Sequence, residues 1–426
     1  MKYQILLFII MLFHVVESIN AQNFNENFRD STLRIDYIFS GNTSSQSIAV
    51  DKLNVMPRWY GKTSRLSEVP VEGNGQITVT DYKTGEALYK NSFSTLFQEW
   101  LTYDEAKNNI RSFENVFLVP FPKKKVNVTI DLRNNRREII KSMTYTVDPE
   151  DILIKHIGFK DITPYKVLQQ AKDTTRCIHI AYIAEGYTKD EMQIFLNDAK
   201  IANDAIFEHE PFKTLKSKFN VIAVMSPSKE SGCSIPSKGI WKKTALNSHF
   251  DTFYSDRYLT TLNLKDMHDI LAGTPYEHII VLVNTDRYGG GGILNSYNLS
   301  MTHHNKFRPV VVHEFGHSFA GLADEYAYET EDLAMYPHDI EPWERNITTM
   351  VDFHGKWEKM IEEKTEIPTP ATPENINKVG VYEGAGYSIH GVYRGQQDCR
   401  MRTNENPEFC KICQKAITDV INFYTE

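Results

Sequence analysis

The sequence predicts an α+β protein, with an N-terminal β-sandwich followed by an α/β domain. Two observations lead to this prediction. Apolar and polar residues alternate through residues 23–147, as they do in half-buried strands. From residue 152 onward, short apolar runs alternate with longer helical segments, which is typical of a sheet covered by helices. We therefore divide the mature chain into a β-sandwich accessory domain, residues 22–148, and an α/β domain, residues 149–426.

The first 21 residues have the pattern of a signal peptide. Lys2 supplies a positive charge, an apolar run follows over Ile5–Val16, and Ala21 is small enough to precede a cleavage site. An N-terminal membrane anchor is the alternative, but the run is short for spanning a bilayer. We expect a secreted or periplasmic protein without stable membrane insertion after cleavage.

The charge distribution argues against a nucleic-acid partner. The formal net charge is -8, and the charges are spread along the chain. The basic run Lys123–Lys125 is short and is expected to be a solvated turn.

The clearest strands of the N-terminal domain begin near Thr32, Gly75 and Val126, and residues typical of turns separate them. In the second domain, buried strands are predicted near residues 177–184, 220–225 and 278–284, and a helix over about residues 190–208. Residues 288–292, Tyr-Gly-Gly-Gly-Gly, are too glycine-rich for a packed strand. They are either a flexible turn or a place where a substrate backbone can approach closely.

A helix predicted over about residues 309–319 carries the sequence H-E-x-x-H. His313 and His317 are four residues apart and lie on one helix face, where their imidazoles can bind one zinc ion. Glu314 can reach a water at that ion without being a ligand, which is the position of a general base. The neighbouring residues are apolar, so the helix is expected to be buried. Gly321 is the expected end of the helix.

The third zinc ligand is predicted to be Asp324. In the elongated zinc motif of metzincins, the last ligand lies three residues beyond a glycine. Counting three residues from Gly321 gives Asp324, although this glycine comes one residue later than in that motif. Glu325 is the alternative ligand. This pattern predicts a zincin-like catalytic domain.

A second group of residues near the C-terminus predicts a methionine-turn subdomain. Met401 lies well downstream of the zinc helix, where metzincins place a methionine beneath the metal. Cys399 is expected to form a disulfide with Cys410 or Cys413 and so to attach this turn to a final helix. The Cys410-x-x-Cys413 spacing also fits a redox or zinc motif, but no second pair completes a structural zinc site.

Two tyrosines near this turn are candidate donors to the oxyanion formed during peptide hydrolysis. Tyr393 is the first candidate and Tyr387 is the second.

The chain resembles the IgA peptidase-like family of zinc metallopeptidases. The residues that carry the resemblance follow one another in the family's order: 184–188, 313–326, 367–370, 382–387 and 399–413. The resemblance implies a zinc endopeptidase, with His313, His317 and Asp324 as ligands and Glu314 as the catalytic base. It implies a protein or peptide substrate but does not fix which one; a host or glycoprotein target such as an immunoglobulin is a candidate, and we expect a monomer.

Two alternatives remain open. A secreted glycan- or protein-binding module would have a structural zinc closed by a fourth ligand, for which the candidates are His303, His304, His338, His354 and His390. A zinc amidase that acts on cell-wall peptides would keep the same chemistry and change only the substrate.

Overall fold

The computed structural model describes residues 24–328 and 335–426. The predicted signal peptide lies outside the described residues. The described part is a mixed α/β protein with several sheets, of which two belong to the N-terminal part.

The N-terminal part contains two four-stranded sheets, with strand orders β5-β1-β2-β8 and β4-β3-β6-β7. The strands predicted near residues 32, 75 and 126 are present as β1, β3 and β6. The short β8 follows the predicted boundary at residue 148 but still pairs with β2. The strands are β1 Phe28–Gly41, β2 Gln46–Pro57, β3 Gly75–Asp81, β4 Ala87–Phe93, β5 Arg111–Pro122, β6 Val126–Arg133, β7 Ile139–Val147 and β8 Lys155–His156; the helices are α1 Phe24–Asn27, α2 Leu96–Trp100 and α3 Glu105–Asn108.

The two N-terminal sheets share a hydrophobic core that continues into the second part of the chain. Phe39 of β1 and Ile130 of β6 are fully buried in the same cluster as Leu271 of the second part. An ion pair also crosses between the two parts, because the buried Arg34 binds Asp36 on its own strand at 2.7 Å and the exposed Asp269 of the second part at 2.6 Å. The N-terminal part is therefore packed firmly against the rest of the molecule.

The second part is built on a six-stranded sheet with the order β13-β14-β12-β10-β11-β9. The four inner strands are parallel, and the strand at each edge is antiparallel to its neighbour. Every residue of β10 and β12 is buried, which explains why they read as continuous apolar runs. The strands are β9 Tyr165–Gln169, β10 Ile178–Glu185, β11 Phe219–Val224, β12 His278–Val283, β13 Gly290–Ile293 and β14 Tyr297–Met301; the helices are α4 Met192–Glu208, α5 Leu264–Leu271 and α6 Phe307–Ala320.

The glycine-rich segment is a strand, so the expectation that it could not pack as one is wrong. The last three glycines of the segment, together with Ile293, form β13 (Gly290–Ile293) at the edge of the sheet. A Cβ atom on Gly292 would lie 2.4 Å from the backbone oxygen of Glu314 in α6. The glycines are needed here because the strand backbone lies directly against the helix.

The last part of the chain adds a three-stranded sheet, with the order β15-β17-β16, and a final helix. The predicted helix end is confirmed, because Gly321 caps α6 in the left-handed conformation with φ 58°. None of the helices in the described ranges is both long and apolar enough to span a bilayer. The elements are β15 Ile347–Thr348, β16 Tyr382–Ala385, β17 Ser388–Arg394 and α7 Lys411–Thr425.

Candidate metal centre

Helix α6 places His313 and His317 one turn apart with their rings turned toward the same point. The two Nε2 atoms are 3.0 Å apart. The opposite face of the helix is apolar and buried, and it includes Val311, Phe315 and Phe319. This burial fixes the rotation of the helix and therefore the direction of both imidazoles.

Asp324 returns to the two histidines after the chain turns at Gly321. Its Oδ1 atom lies 3.0 Å from Nε2 of His313 and 3.3 Å from Nε2 of His317. The three side chains thus present one donor atom each to a common point. Of the two carboxylates considered from the sequence, Asp324 is the one that the fold brings to the histidines.

The donor set fits a zinc ion. Nδ1 of His313 lies 3.0 Å from the backbone oxygen of Arg400, and Nδ1 of His317 lies 2.6 Å from that of Leu322. These contacts hold the protons on Nδ1 and leave the Nε2 lone pairs directed at the site. Asp324 Oδ1 is buried without a hydrogen-bond partner among the described residues. An ion about 2.0–2.2 Å from each atom would satisfy all three.

Glu314 lies beside the three donors but is not one of them. Its Oε1 atom is close to β13, since a Cβ atom on Gly290 would lie 2.7 Å from it. Burial raises the pKa of the Glu314 carboxyl, and the charges of His313 and His317 act against that rise. The Glu314 carboxyl is therefore buried within the electrostatic influence of both histidines.

Of the two candidate tyrosines, the structure brings Tyr387 to the site. Its hydroxyl donates a hydrogen bond to Oδ2 of Asp324. Its backbone has φ 66°, which is uncommon for a bulky residue and indicates that the surrounding structure holds it in place. Tyr393 instead lies on β17 opposite Thr348 and Glu383, and no contact joins it to the three donors in the described part of the chain. Tyr387, the second candidate from the sequence, is therefore the tyrosine of the two that contacts Asp324.

Glu325, the alternative third ligand, points away from the histidines. Its Oε1 atom lies 3.0 Å from Sγ of Cys413 and 3.8 Å from Sγ of Cys410. The predicted disulfide from Cys399 to Cys410 or Cys413 is also absent, because all three cysteines are unpaired. The sulfurs of Cys399 and Cys413 are 3.7 Å apart. A disulfide would need about 2.05 Å.

Three residues near the site were not predicted from the sequence. Glu99, on α2 of the N-terminal part, accepts a hydrogen bond of 2.5 Å from the hydroxyl of Tyr258. Burial raises the pKa of Glu99 to about 7, and the charges of His317 and Asp324 also act on it. Arg257 lowers the pKa of Glu314 by its charge and binds the Tyr328 hydroxyl at 2.7 Å. No local motif marks these residues, because tertiary packing brings Glu99 to the site from the N-terminal part, and Arg257 and Tyr258 from a loop that precedes α5.

Comparison with known proteins gives two family matches. Residues 167–378 and 372–421 match the family described as IgA Peptidase M64. Residues 23–144 match the family described as Peptidase M64 N-terminus. A search of curated proteins found no match.

Proposed function

Because the chain belongs to the IgA peptidase M64 family and is therefore a peptidase, we propose that it is a zinc-dependent endopeptidase. The observation that carries this proposal is the meeting of His313, His317 and Asp324 beside Glu314. A zincin-like domain with a methionine turn is part of the same proposal. Met401 supports it, since a Cβ atom on Gly316 of the zinc helix would lie 2.8 Å from the Met401 sulfur.

A zinc ion held by the three side chains would polarise the scissile carbonyl and lower the pKa of the attacking water. Glu314 accepts the proton of that water and passes it to the leaving amine. The backbone oxygens of Arg400 and Leu322 keep the two imidazoles in the required tautomer.

The number of ligands favours an enzyme over a binding module with a structural zinc. Structural zinc sites are closed by four protein ligands, whereas catalytic sites leave one position open. In the described residues, 24–328 and 335–426, the side chains that converge at this centre are three possible ligands: His313, His317 and Asp324. Of the candidates for a fourth ligand, His303 binds Asp198 at 3.0 Å. His354 and His390 contact Glu358 and Glu383.

We propose Asp324 as the third ligand, and its replacement should lower the zinc affinity of this centre. Loss of a group that only hydrogen-bonds to a metal ligand lowers metal affinity about 10–100-fold. Because Asp324 is proposed to bind the ion itself, Asp324→Ala should lower zinc affinity by more than this. Enzyme stripped with a chelator is titrated with buffered zinc, and recovered peptidase activity reports occupancy. Asp339→Ala, which removes an exposed carboxylate paired with Arg136, is the control. Unchanged zinc affinity in Asp324→Ala would remove this residue from the ligand set.

We propose that Tyr387 supports catalysis at this centre as an oxyanion donor, with its hydroxyl proton passing from the hydrogen bond with Asp324 to one with the oxyanion. Tyr387→Phe should retain zinc and lower kcat. The loss should be at most about 10²–10³-fold, which is the loss that follows removal of an oxyanion donor in other enzymes. Tyr393→Phe is the matched variant, and it should keep kcat near that of the wild type. Steady-state kinetics with zinc analysis of both variants distinguish the two residues. A large loss in Tyr393→Phe with little change in Tyr387→Phe would restore the order predicted from the sequence.

The proposed substrate is a protein outside the cell, and a host glycoprotein such as an immunoglobulin is the first candidate. The family description supports this choice, and the signal-like N-terminus supports secretion or a periplasmic location. Incubating the purified enzyme with a proteome-derived peptide library and identifying the cleaved peptides tests the endopeptidase activity directly. The Glu314→Gln variant serves as the blank. Cleavage confined to cell-wall peptides would instead support the zinc amidase. Cleavage of neither class by zinc-loaded enzyme would count against the proposal.

A further inference from the structure

Beneath the candidate catalytic centre, four buried side chains meet that the proposed peptidase chemistry does not use. They come from three separate segments: Glu325 follows Asp324, Cys399 begins the turn that contains Met401, and Cys410 and Cys413 lie at the start of α7. One donor atom from each lies within 4.8 Å of the other three. The four side chains are at most 5% exposed, so water does not solvate them.

The distances within this cysteine cluster fit a single tetrahedral ion. Zinc–sulfur bonds of about 2.3 Å place two sulfurs about 3.8 Å apart. Sγ of Cys399 and Sγ of Cys413 are 3.7 Å apart. The Glu325 Oε1 atom lies 3.0 Å from the Cys413 sulfur and 3.8 Å from the Cys410 sulfur. The same spacing is far too long for a disulfide bond of about 2.05 Å.

Backbone N–H groups donate hydrogen bonds to two of the three sulfurs in the cluster. Sγ of Cys399 accepts backbone N–H groups from Met401 at 3.4 Å and Cys410 at 3.1 Å. Sγ of Cys410 caps α7 by accepting the N–H of Cys413 at 3.4 Å. Backbone donors and a helix N-terminus both favour negative charge on the sulfurs.

Glu325 supplies an independent indication that a ligand belongs here. Its Oε1 atom accepts a hydrogen bond of 3.0 Å from Asn346. Its Oε2 atom is buried and has no hydrogen-bond partner among the described residues. A buried carboxylate beside three cysteines is costly unless a cation neutralises it. Arg394 contributes positive charge from one side, but its guanidinium is already bound to the backbone oxygens of Glu383 and Gln397.

We propose that Glu325, Cys399, Cys410 and Cys413 form a second, structural metal site that takes Zn²⁺. The site is closed by four protein ligands, as structural zinc sites are. It is separate from the catalytic centre but is joined to it through the chain. Asp324 and Glu325 are consecutive, and Arg400, whose backbone oxygen orients His313, follows Cys399. The second ion would hold these segments in the positions that the catalytic centre requires.

Cobalt substitution tests this proposal on the full-length chain. The probe is Co²⁺ added to metal-free His313→Ala/His317→Ala protein, in which the catalytic centre lacks two ligands. We expect one bound equivalent with strong thiolate-to-cobalt charge-transfer absorption and the visible bands of a tetrahedral ion. Adding Cys410→Ser and Cys413→Ser should remove the absorption. Cys177→Ser and Cys233→Ser replace buried cysteines outside the cluster and should leave it unchanged.

The outcome does not depend on the folding of the cysteine variants, because the protein with an intact cluster gives the deciding spectrum. Absence of thiolate-to-cobalt absorption in that protein would overturn the proposal. Thiol titration of the denatured, chelated wild type should find all five cysteines reduced. A count lower by two would show a disulfide within the cluster and would also overturn it. Neither result would alter the peptidase assignment, since the two sites share no ligand.

Discussion

Glu314→Gln is expected to keep its catalytic zinc and to lose about 10²–10⁴-fold in turnover. The substitution preserves the size of the side chain and removes its ability to accept a proton. Glu314 is not among the three side chains whose donor atoms converge, so metal binding should not change. Zinc analysis together with kcat on a peptide substrate measures both parts of the expectation.

The matched control for this variant is Glu363→Gln, which makes the same chemical change at an exposed position far from the centre in sequence. It should behave as the wild type in both measurements. Near-normal hydrolysis by Glu314→Gln would exclude this residue as the base. Loss of zinc in the same variant would show instead that Glu314 holds the metal.

His313→Ala should abolish turnover and lower the bound zinc by one equivalent per chain. The substitution removes one of three donors, and the remaining His317 and Asp324 cannot complete a catalytic zinc site of three protein ligands. Metal analysis of the protein purified under identical conditions gives the zinc content. Peptide hydrolysis measured with added zinc shows whether excess metal restores activity.

His354→Ala is the control for His313→Ala, because His354 is an exposed histidine whose ion-pair partner is the nearby Glu358. It should retain both zinc and activity. Full zinc occupancy in His313→Ala would contradict the assignment of the metal centre. Zinc that remains in the cysteine cluster is distinguished by its thiolate ligands, which give cobalt a different spectrum.

Patterns within single segments of the sequence were enough to predict much of the molecule. The predominantly apolar runs identified β10 and β12 because both faces of these strands are buried. The spacing of His313 and His317 placed them on one face of α6, and Gly321 marked its end. The family resemblance agreed with the later family matches. These features depend on local periodicity and local backbone geometry.

The tertiary structure alone decided which neighbouring groups meet. Asp324 and Glu325 are adjacent, yet one turns to the histidines and the other to the cysteines. Likewise, Tyr387 reaches Asp324 although Tyr393 is closer to the methionine turn in the sequence.

The glycine-rich β13 and the position of Glu99 were also decided by tertiary packing. β13 forms because its backbone lies directly on α6, and no side-chain alternation records that contact. Glu99 reaches the centre because the N-terminal part shares a core with the second part. The sequence by itself was enough to identify the segments that carry the proposed catalytic groups. Which of their side chains share a site depended on contacts between residues far apart in the chain, and local patterns do not encode such contacts.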